Sequence, residues 1–263
     1  MGVNTKEKNN NNMKRLVIIP TYKEKENIEN IIRAIFDLID VHILIIDDNS
    51  PDGTADIVKS LIPEFEGKLF IEERTGKLGL GTAYIHGFKW GLKRDYDYMF
   101  EMDADFSHDP HDLQRLYDAC ETQNADVAIG SRYCQGVNVL NWPMGRLLMS
   151  YYGSAYVRTV LGVPAKDTTA GFICYRAEVL NSIDFDKIKH IGYGFQIEMK
   201  FTAWKLGFKI VEVPIIFKDR TLGVSKMSSG IFREAIFGVI GLKIRSWFRK
   251  WERVDNRAKL TMN

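Results

Sequence analysis

The chain has 263 residues, 45% of them hydrophobic and 27% charged, which excludes a disordered or fibrous protein and fits one large domain with an appendage. Its three cysteines, Cys120, Cys134 and Cys174, form no CxxC pair, so neither a disulfide framework nor a zinc knuckle is indicated and a reducing compartment fits. The net charge of +2 is uneven, with nine Lys/Arg against three Asp/Glu from Lys226 onward; this argues against a nucleic-acid binder and for a tail that meets an anionic surface.

Residues 1–12 are polar, end in Asn9–Asn12, and read as a disordered extension rather than a signal peptide. Leu16–Ile19 is an apolar run ended by Pro20, the pattern of a buried parallel strand. Ile28, Ile31, Ile32, Ile35, Phe36 and Ile39 follow at helical spacing, with Asn27 placed to cap them. Ile43–Ile46 is a second strand, and the pattern continues with a helix over about 54–62, a strand at Leu69–Glu72 and a helix over about 80–93. Then come a strand at Tyr98–Met102, a helix at Leu113–Thr122 and a strand at Val127–Gly130. This alternation predicts an α/β fold, a mostly parallel sheet flanked by helices.

Beyond about residue 135 the alternation weakens. Helices are predicted over Arg146–Leu161 and Phe195–Leu206, and strands over Gly171–Arg176 and Val211–Phe217. An amphipathic helical stretch runs from Ser228 to about Arg253. In its most apolar part, Ile231–Phe248, four charges leave only Ala235–Leu242 uninterrupted, well short of the roughly 20 residues a membrane span needs.

Parallel sheets bind ligands beyond the carboxyl ends of their strands. Here those ends read Pro20-Thr21-Tyr22-Lys23-Glu24, Asp47-Asp48-Asn49-Ser50 and Asp103-Ala104-Asp105, so acidic and polar residues converge on one rim. Asp103 and Asp105, two apart at a strand end, can direct carboxylates at one hard cation that also bridges phosphate oxygens. His108 and His111 read as loop structure, since His-x-x-His lacks further zinc ligands. Gly79-Leu80-Gly81 opens like a dinucleotide fingerprint, but Tyr84 stands where its third glycine belongs. Arg132, Arg146, Arg220 and Lys226 are candidate phosphate ligands, and the Arg220–Lys226 loop, with two cations and Gly223, can close over a pyrophosphate.

Several segments together are similar to family 2 glycosyltransferases with a GT-A fold and, within them, to the catalytic subunits of dolichyl-phosphate mannose synthases. They are Pro20–Asn27, Asp47–Thr54, Leu78–Tyr84, Met102–His108, Gly130–Tyr133, Asp167–Phe172 and the Arg220–Lys226 loop. The resemblance implies inverting transfer of mannose from GDP-mannose to a polyprenyl (dolichyl) phosphate. It implies that Pro20, Tyr22, Glu24, Ile46 and Asp48 hold the nucleoside. Asp103, Ala104 and Asp105 line the pyrophosphate and a divalent cation, Mg²⁺ or Mn²⁺, and Arg220 and Lys226 close over the donor. Arg132, Arg146 and Ser150 match positions that receive the acceptor phosphate, and Asp103, Asp105 and Arg132 carry the catalysis. Where some members carry a metal-binding Gln, this chain has Ser107.

The same resemblance divides the chain into the extension 1–12, a GT-A domain over 13–227 and a basic amphipathic, membrane-proximal tail over 228–263. Phe232, Ala235, Ile236, Val239 and Ile240 share one helical face of that tail, with Arg233, Lys243, Arg245, Arg249 and Lys250 nearby. Such a helix suits the headgroup region of a membrane. The expectation is a protein peripheral on the cytoplasmic face, without a transmembrane helix, that works with a small membrane-anchoring partner. Two other readings stay open: transfer of glucose or N-acetylglucosamine from a UDP-sugar, and a membrane-docked, non-catalytic module that binds nucleotide sugars.

Overall fold

The computed structural model describes residues 13–192, 194–219 and 229–261, with 229–236 as backbone only. Arg220, Lys226, Phe232, Arg233, Ala235 and Ile236, all named above, lie outside the described side chains.

The chain opens with β1 (Arg15–Thr21), α1 (Ile28–Leu38), β2 (His42–Asp47), α2 (Thr54–Leu61), β3 (Leu69–Glu73) and α3 (Leu80–Leu92). β4 (Tyr98–Glu101), α4 (Asp112–Thr122) and β5 (Val127–Ser131) complete the predicted alternation. The less regular part holds β6 (Val139–Leu140), α5 (Met144–Leu161), β7 (Ile173–Arg176), α6 (Ala177–Ser182) and α7 (Gly194–Lys205). β8 (Ile210–Pro214), β9 (Phe217–Lys218), α8 (Ser229–Phe248) and α9 (Asn256–Thr261) close it.

Seven strands form one sheet in the order β3-β2-β1-β4-β7-β5-β8. All neighbours are parallel except β7, which runs antiparallel between β4 and β5. The sheet is covered on both faces, which is why its strands are apolar throughout. Leu16, Ile18, Leu44 and Ile46 pack to one side with Tyr84 and Phe88 of α3. Val17, Ile19, Ile43 and Ile45 pack to the other with Ile28, Ile31, Ile32 and Ile35 of α1. On the α3 side the helix lies so close that a Cβ on Gly81 would stand 2.6 Å from the Phe195 ring, and one on Gly87 would stand 2.6 Å from Ile18 Cγ2. The glycines that resemble a nucleotide fingerprint therefore begin a close-packed helix.

Three expectations change in detail. Asn27 does not cap α1 with its side chain; its amide donates to Glu24 Oε2 at 3.3 Å, and the Glu24 carbonyl takes the Asn27 and Ile28 N–H groups. The strand predicted over 211–217 divides in two. Ile215 N–H still donates to Ser131 O, but Phe217 N–H donates to Asn138 O, so the chain leaves the main sheet to pair with β6.

The tail helix stops at Phe248 rather than near Arg253. Beyond it the chain turns back: Trp251 sets its ring edge-on to Phe201, and buried Asn256 donates to the carbonyls of Leu180 and Ile183 at 2.8 and 2.7 Å.

Candidate active site

β1, β2 and β4 end at the same edge of the sheet, and their last residues surround a cleft of about 530 Å³. Pro20, Tyr22, Glu24, Asp48 and Lys77 line one side, and Asp103, Ala104 and Asp105 line it at the end of β4. Lys189–Gly192, together with Val239 and Leu242 of α8, line it as well. Of the described residues expected at the donor, only Ile46 stands back from the cleft, fully buried in the core.

The Tyr22–Asp48 side of the cleft is made rigid by loop-to-loop hydrogen bonds. Asp47, fully buried, accepts from Thr21 Oγ1 at 2.8 Å and from Ser50 N and Oγ at 2.8 and 2.7 Å. Lys23 N–H donates to Ser50 Oγ, and Glu24 N–H to Thr54 Oγ1. Lys23 and Asn49 hold left-handed backbone, φ 60° and 57°, at the two loop tips. The Tyr22 ring has the Lys77 ammonium 5.1 Å from its centroid, a setting suited to stacking on a base.

Asp48 has a partner that sequence reasoning did not find. Arg74, just past β3, donates through Nε to Asp48 Oδ1 at 2.6 Å and through Nη1 to Thr82 Oγ1 at 2.7 Å. Both members of this ion pair are nearly buried, with side-chain exposures of 7% and 9%. Burial pushes the Asp48 carboxyl up, and Arg74 opposes that shift by favouring the charged form.

The Asp103–Asp105 turn is held from below. Asp105 is buried, only 7% exposed, and its Oδ1 accepts the Ser107 N–H at 3.0 Å across Phe106, a non-glycine residue at φ 58°. The Asp103 N–H faces His108 Nδ1 at 3.4 Å. The His108 ring stacks on Phe172, centroids 4.8 Å apart, and burial pulls its imidazole down to about 4, so it stays neutral. His111 is exposed and bonds Asp109 at 2.8 Å, so the two histidines serve different contacts. Glu101, the last residue of β4, and Lys200 of α7 are fully buried. Burial raises the carboxyl and lowers the ammonium, and Lys200 donates to the carbonyls of Ala170 and Gln196.

Among the described residues no cluster of three or more His, Cys, Asp or Glu side chains is arranged to hold a metal. Two carboxylates on one turn nonetheless suit a cation that takes its remaining oxygens from phosphate and water, as Mg²⁺ and Mn²⁺ do.

Arg132, Arg146 and Ser150 are brought together through shared neighbours: both guanidiniums lie over Trp142, and Tyr133, beside Arg132, bonds Ser150. Arg132 donates through Nε and Nη2 to Asp167 at 2.7 and 2.6 Å, and through Nη2 to Thr169 Oγ1 at 2.8 Å. Arg146 Nη1 donates to Asp219 at 2.8 Å, and Tyr133 OH donates to Ser150 Oγ at 2.8 Å. A second cavity of about 270 Å³ lies between Ala34 and Leu38 of α1 and the loop after β4, and reaches Asp105, Lys218 and Asp219; Arg132, Arg146 and Ser150 do not line it. Asp105 borders both cavities, the first shared with Tyr22, Glu24 and Asp48 and the second with Asp219.

A mostly parallel sheet whose strand ends carry an Asp-x-Asp turn at a nucleotide-sized cleft defines a GT-A glycosyltransferase. Residues 16–184 match glycosyl transferase family 2, and the chain belongs to that family. It is 48% identical over 231 residues to a polyprenol monophosphomannose synthase of Mycolicibacterium smegmatis, covering 88% of this chain and 87% of that one. It is 47% identical over 251 residues to an undecaprenyl-phosphate mannosyltransferase of Micrococcus luteus, covering 94% and 100%.

Among solved structures, the mannosyltransferase PcManGT of Pyrobaculum calidifontis, in complex with GDP-Man and Mn²⁺, superposes with a TM-score of 0.57 at 14% identity, over 91% of this chain. TarS 1–349 of S. aureus, in complex with UDP, gives 0.58 at 16%, over 88% of this chain. This chain covers 65% and 64% of those two, just under two thirds, and the likeness establishes the fold.

Proposed function

We propose that this glycosyltransferase moves mannose from GDP-mannose to a polyprenyl phosphate with inversion at the anomeric carbon. The observation that carries the reading is the convergence of Tyr22, Glu24 and Asp48 with the Asp103–Asp105 turn on one cleft at the strand ends. The names of the relatives at 47–48% identity support the choice of sugar and acceptor.

Tyr22 stacks on the base, and Glu24 and Asp48 take its polar edge and ribose. Asp103 and Asp105 hold a divalent cation, which when bound supplies positive charge at the leaving diphosphate. Arg220 and Lys226, outside the described residues, are assigned to the donor from sequence alone. Arg132, Arg146 and Ser150 receive the acceptor phosphate. A lipid phosphate, with a second pKa of about 6, is already a charged nucleophile at neutral pH. No carboxylate base is then needed, and the protein's work is to bring two anions together and orient them.

The acceptor lies in a membrane, and the outer surface suits one. No helix of the described residues is long and apolar enough to cross a bilayer. α8 exposes Phe237, Ile240, Ile244, Trp247 and Phe248 along one face, the last at 83%, and α5 exposes Met144 and Tyr152. Arg245 and Lys250 are exposed among them. Val239 and Leu242, on the opposite face of α8, line the donor cleft, so one helix faces both lipid and nucleotide sugar. The protein is peripheral on the cytoplasmic face, and a small membrane protein assists its anchoring.

The deciding experiment gives purified protein GDP-mannose, UDP-glucose or UDP-N-acetylglucosamine with undecaprenyl phosphate and Mg²⁺ or Mn²⁺. Mannosyl lipid is expected; glucosyl lipid alone would overturn the assignment of the sugar.

A further inference from the structure

Arg132 and Arg146 share a neighbour that nothing so far has given a role. The Trp142 ring centroid lies 4.2 Å from Arg146 Cζ and 5.5 Å from Arg132 Cζ. Phe217 meets the indole edge-on at 5.3 Å and also borders Arg132, at 5.6 Å. A guanidinium over an aromatic face is held in plane as well as attracted, and tryptophan is the strongest such platform.

The backbone is shaped to deliver this ring. Asn141, directly before it, takes the left-handed conformation at φ 63°, which non-glycine residues rarely adopt. Pro143, directly after it, starts α5, the helix that carries Arg146 and Ser150. Among the described residues, Trp142 Nε1 and Arg146 Nε are both buried without a hydrogen-bond partner. Buried N–H groups are nearly always paired, and unpaired ones tend to mark places where a ligand or a functional constraint enters.

We propose that Trp142 is a positioning residue for the acceptor phosphate: its indole holds the guanidinium planes of Arg132 and Arg146 at a fixed mutual orientation, so that both address one phosphate. This rests on the reading of Arg132 and Arg146 as the acceptor site. The two arginines differ in how firmly they are already held. Arg132 is locked to Asp167, whose side chain is fully buried, whereas the Arg146–Asp219 pair is about a quarter exposed on each side. Arg146 is therefore the arginine with more freedom to stray, and it is the one nearer the indole.

The test is steady-state kinetics with undecaprenyl phosphate and GDP-mannose varied separately. Trp142→Leu is expected to raise KM for the lipid phosphate at least tenfold while KM for GDP-mannose stays within twofold. Trp142→Phe, which keeps an aromatic face, is expected to recover most of that loss. A folded Trp142→Leu protein with unchanged lipid KM overturns the proposal, as does equal loss in the Phe and Leu variants. Arg146→Gln separates the two layers. If it leaves lipid KM unchanged, the acceptor reading itself fails; if it raises KM and Trp142→Leu does not, only the role of Trp142 fails.

Should Trp142→Leu not fold, protein labelled with 5-fluorotryptophan gives a second readout, with the Trp142 signal assigned by its absence in Trp142→Phe. Undecaprenyl phosphate in detergent is expected to shift that ¹⁹F resonance, and GDP-mannose to leave it in place. A resonance indifferent to the lipid phosphate overturns the proposal.

Discussion

Arg132 grips Asp167 three times: through Nε at 2.7 Å, through Nη2 at 2.6 Å and through its backbone N–H at 3.0 Å. The carboxylate is fully buried, and the ion pair ties the end of β5 to the chain segment before β7. Burial alone would raise the Asp167 carboxyl; the charge and hydrogen bonds of Arg132 more than reverse this and hold it below the ordinary range. Asp167→Asn leaves a buried guanidinium without its counter-charge and should cost about 3–5 kcal/mol, read as a lower urea midpoint at pH 7. The sign with pH follows from the depressed value. The ionised pair contributes stability above the unfolded carboxyl value of about 3.9, and that stability is lost as pH falls through the folded value. Wild type should therefore lose more stability than Asp167→Asn between pH 6 and pH 3, and parallel losses would show that the pair does not set the acid limb.

Asp105→Ala should reduce mannosyl transfer at least about a hundredfold, the scale of removing a key electrostatic stabiliser. Circular dichroism and the thermal midpoint should stay near wild type, because the side chain lines the cleft beyond the end of β4 rather than the apolar core. Turnover close to wild type would count heavily against a cation at the end of β4.

Much of this site was legible because it lies where local pattern and topology coincide. Buried parallel strands such as Leu16–Ile19 and Ile43–Ile46 are continuous apolar runs, and the polar residues directly after them mark the binding edge. What escaped were pairings between distant residues. Arg74 reads as one more surface charge until the fold sets it against Asp48, 26 residues earlier. Trp142 reads as a loop aromatic until it lies beneath two guanidiniums. The direction of β7 was hidden for another reason: a four-residue apolar strand has the same alternation whichever way it runs.

The Arg74–Asp48 pair should respond asymmetrically to mutation. Arg74→Met strands a buried carboxylate on the cleft wall, and should destabilise the protein by about 3–5 kcal/mol and, on the proposed reading of Asp48, raise KM for GDP-mannose. The double variant Arg74→Met/Asp48→Leu should regain part of the stability but not the donor affinity. Full recovery of both would remove Asp48 from the donor site.

At Gly81 the limit is space. An alanine there gains up to about 1 kcal/mol of helix propensity, but its methyl would stand 2.6–2.9 Å from Phe195 ring atoms and Cβ, and overpacking of this kind costs about 1–3 kcal/mol. Net destabilisation is expected, with partial relief when Phe195→Leu is added. Strict additivity of the two changes in chemical denaturation would argue against that contact.

For the outer face of α8, Trp247→Ser/Phe248→Ser should weaken co-sedimentation with anionic vesicles, and should do so without altering binding of GDP-mannose in detergent solution. Unchanged vesicle binding would send the docking surface elsewhere, with the α5 face next to be tried.

The reversed strand β7 also governs how the protein is made. β5 borders only β7 and β8 in the sheet, and both come later in the chain. While the polypeptide leaves the ribosome, β1 to β4 can assemble a nucleotide half, but Val127–Ser131 must wait unpaired until Ile173–Arg176 emerges. During that interval β4 offers a bare apolar edge to any neighbouring nascent chain. The half that would meet the lipid phosphate is thus the last to close.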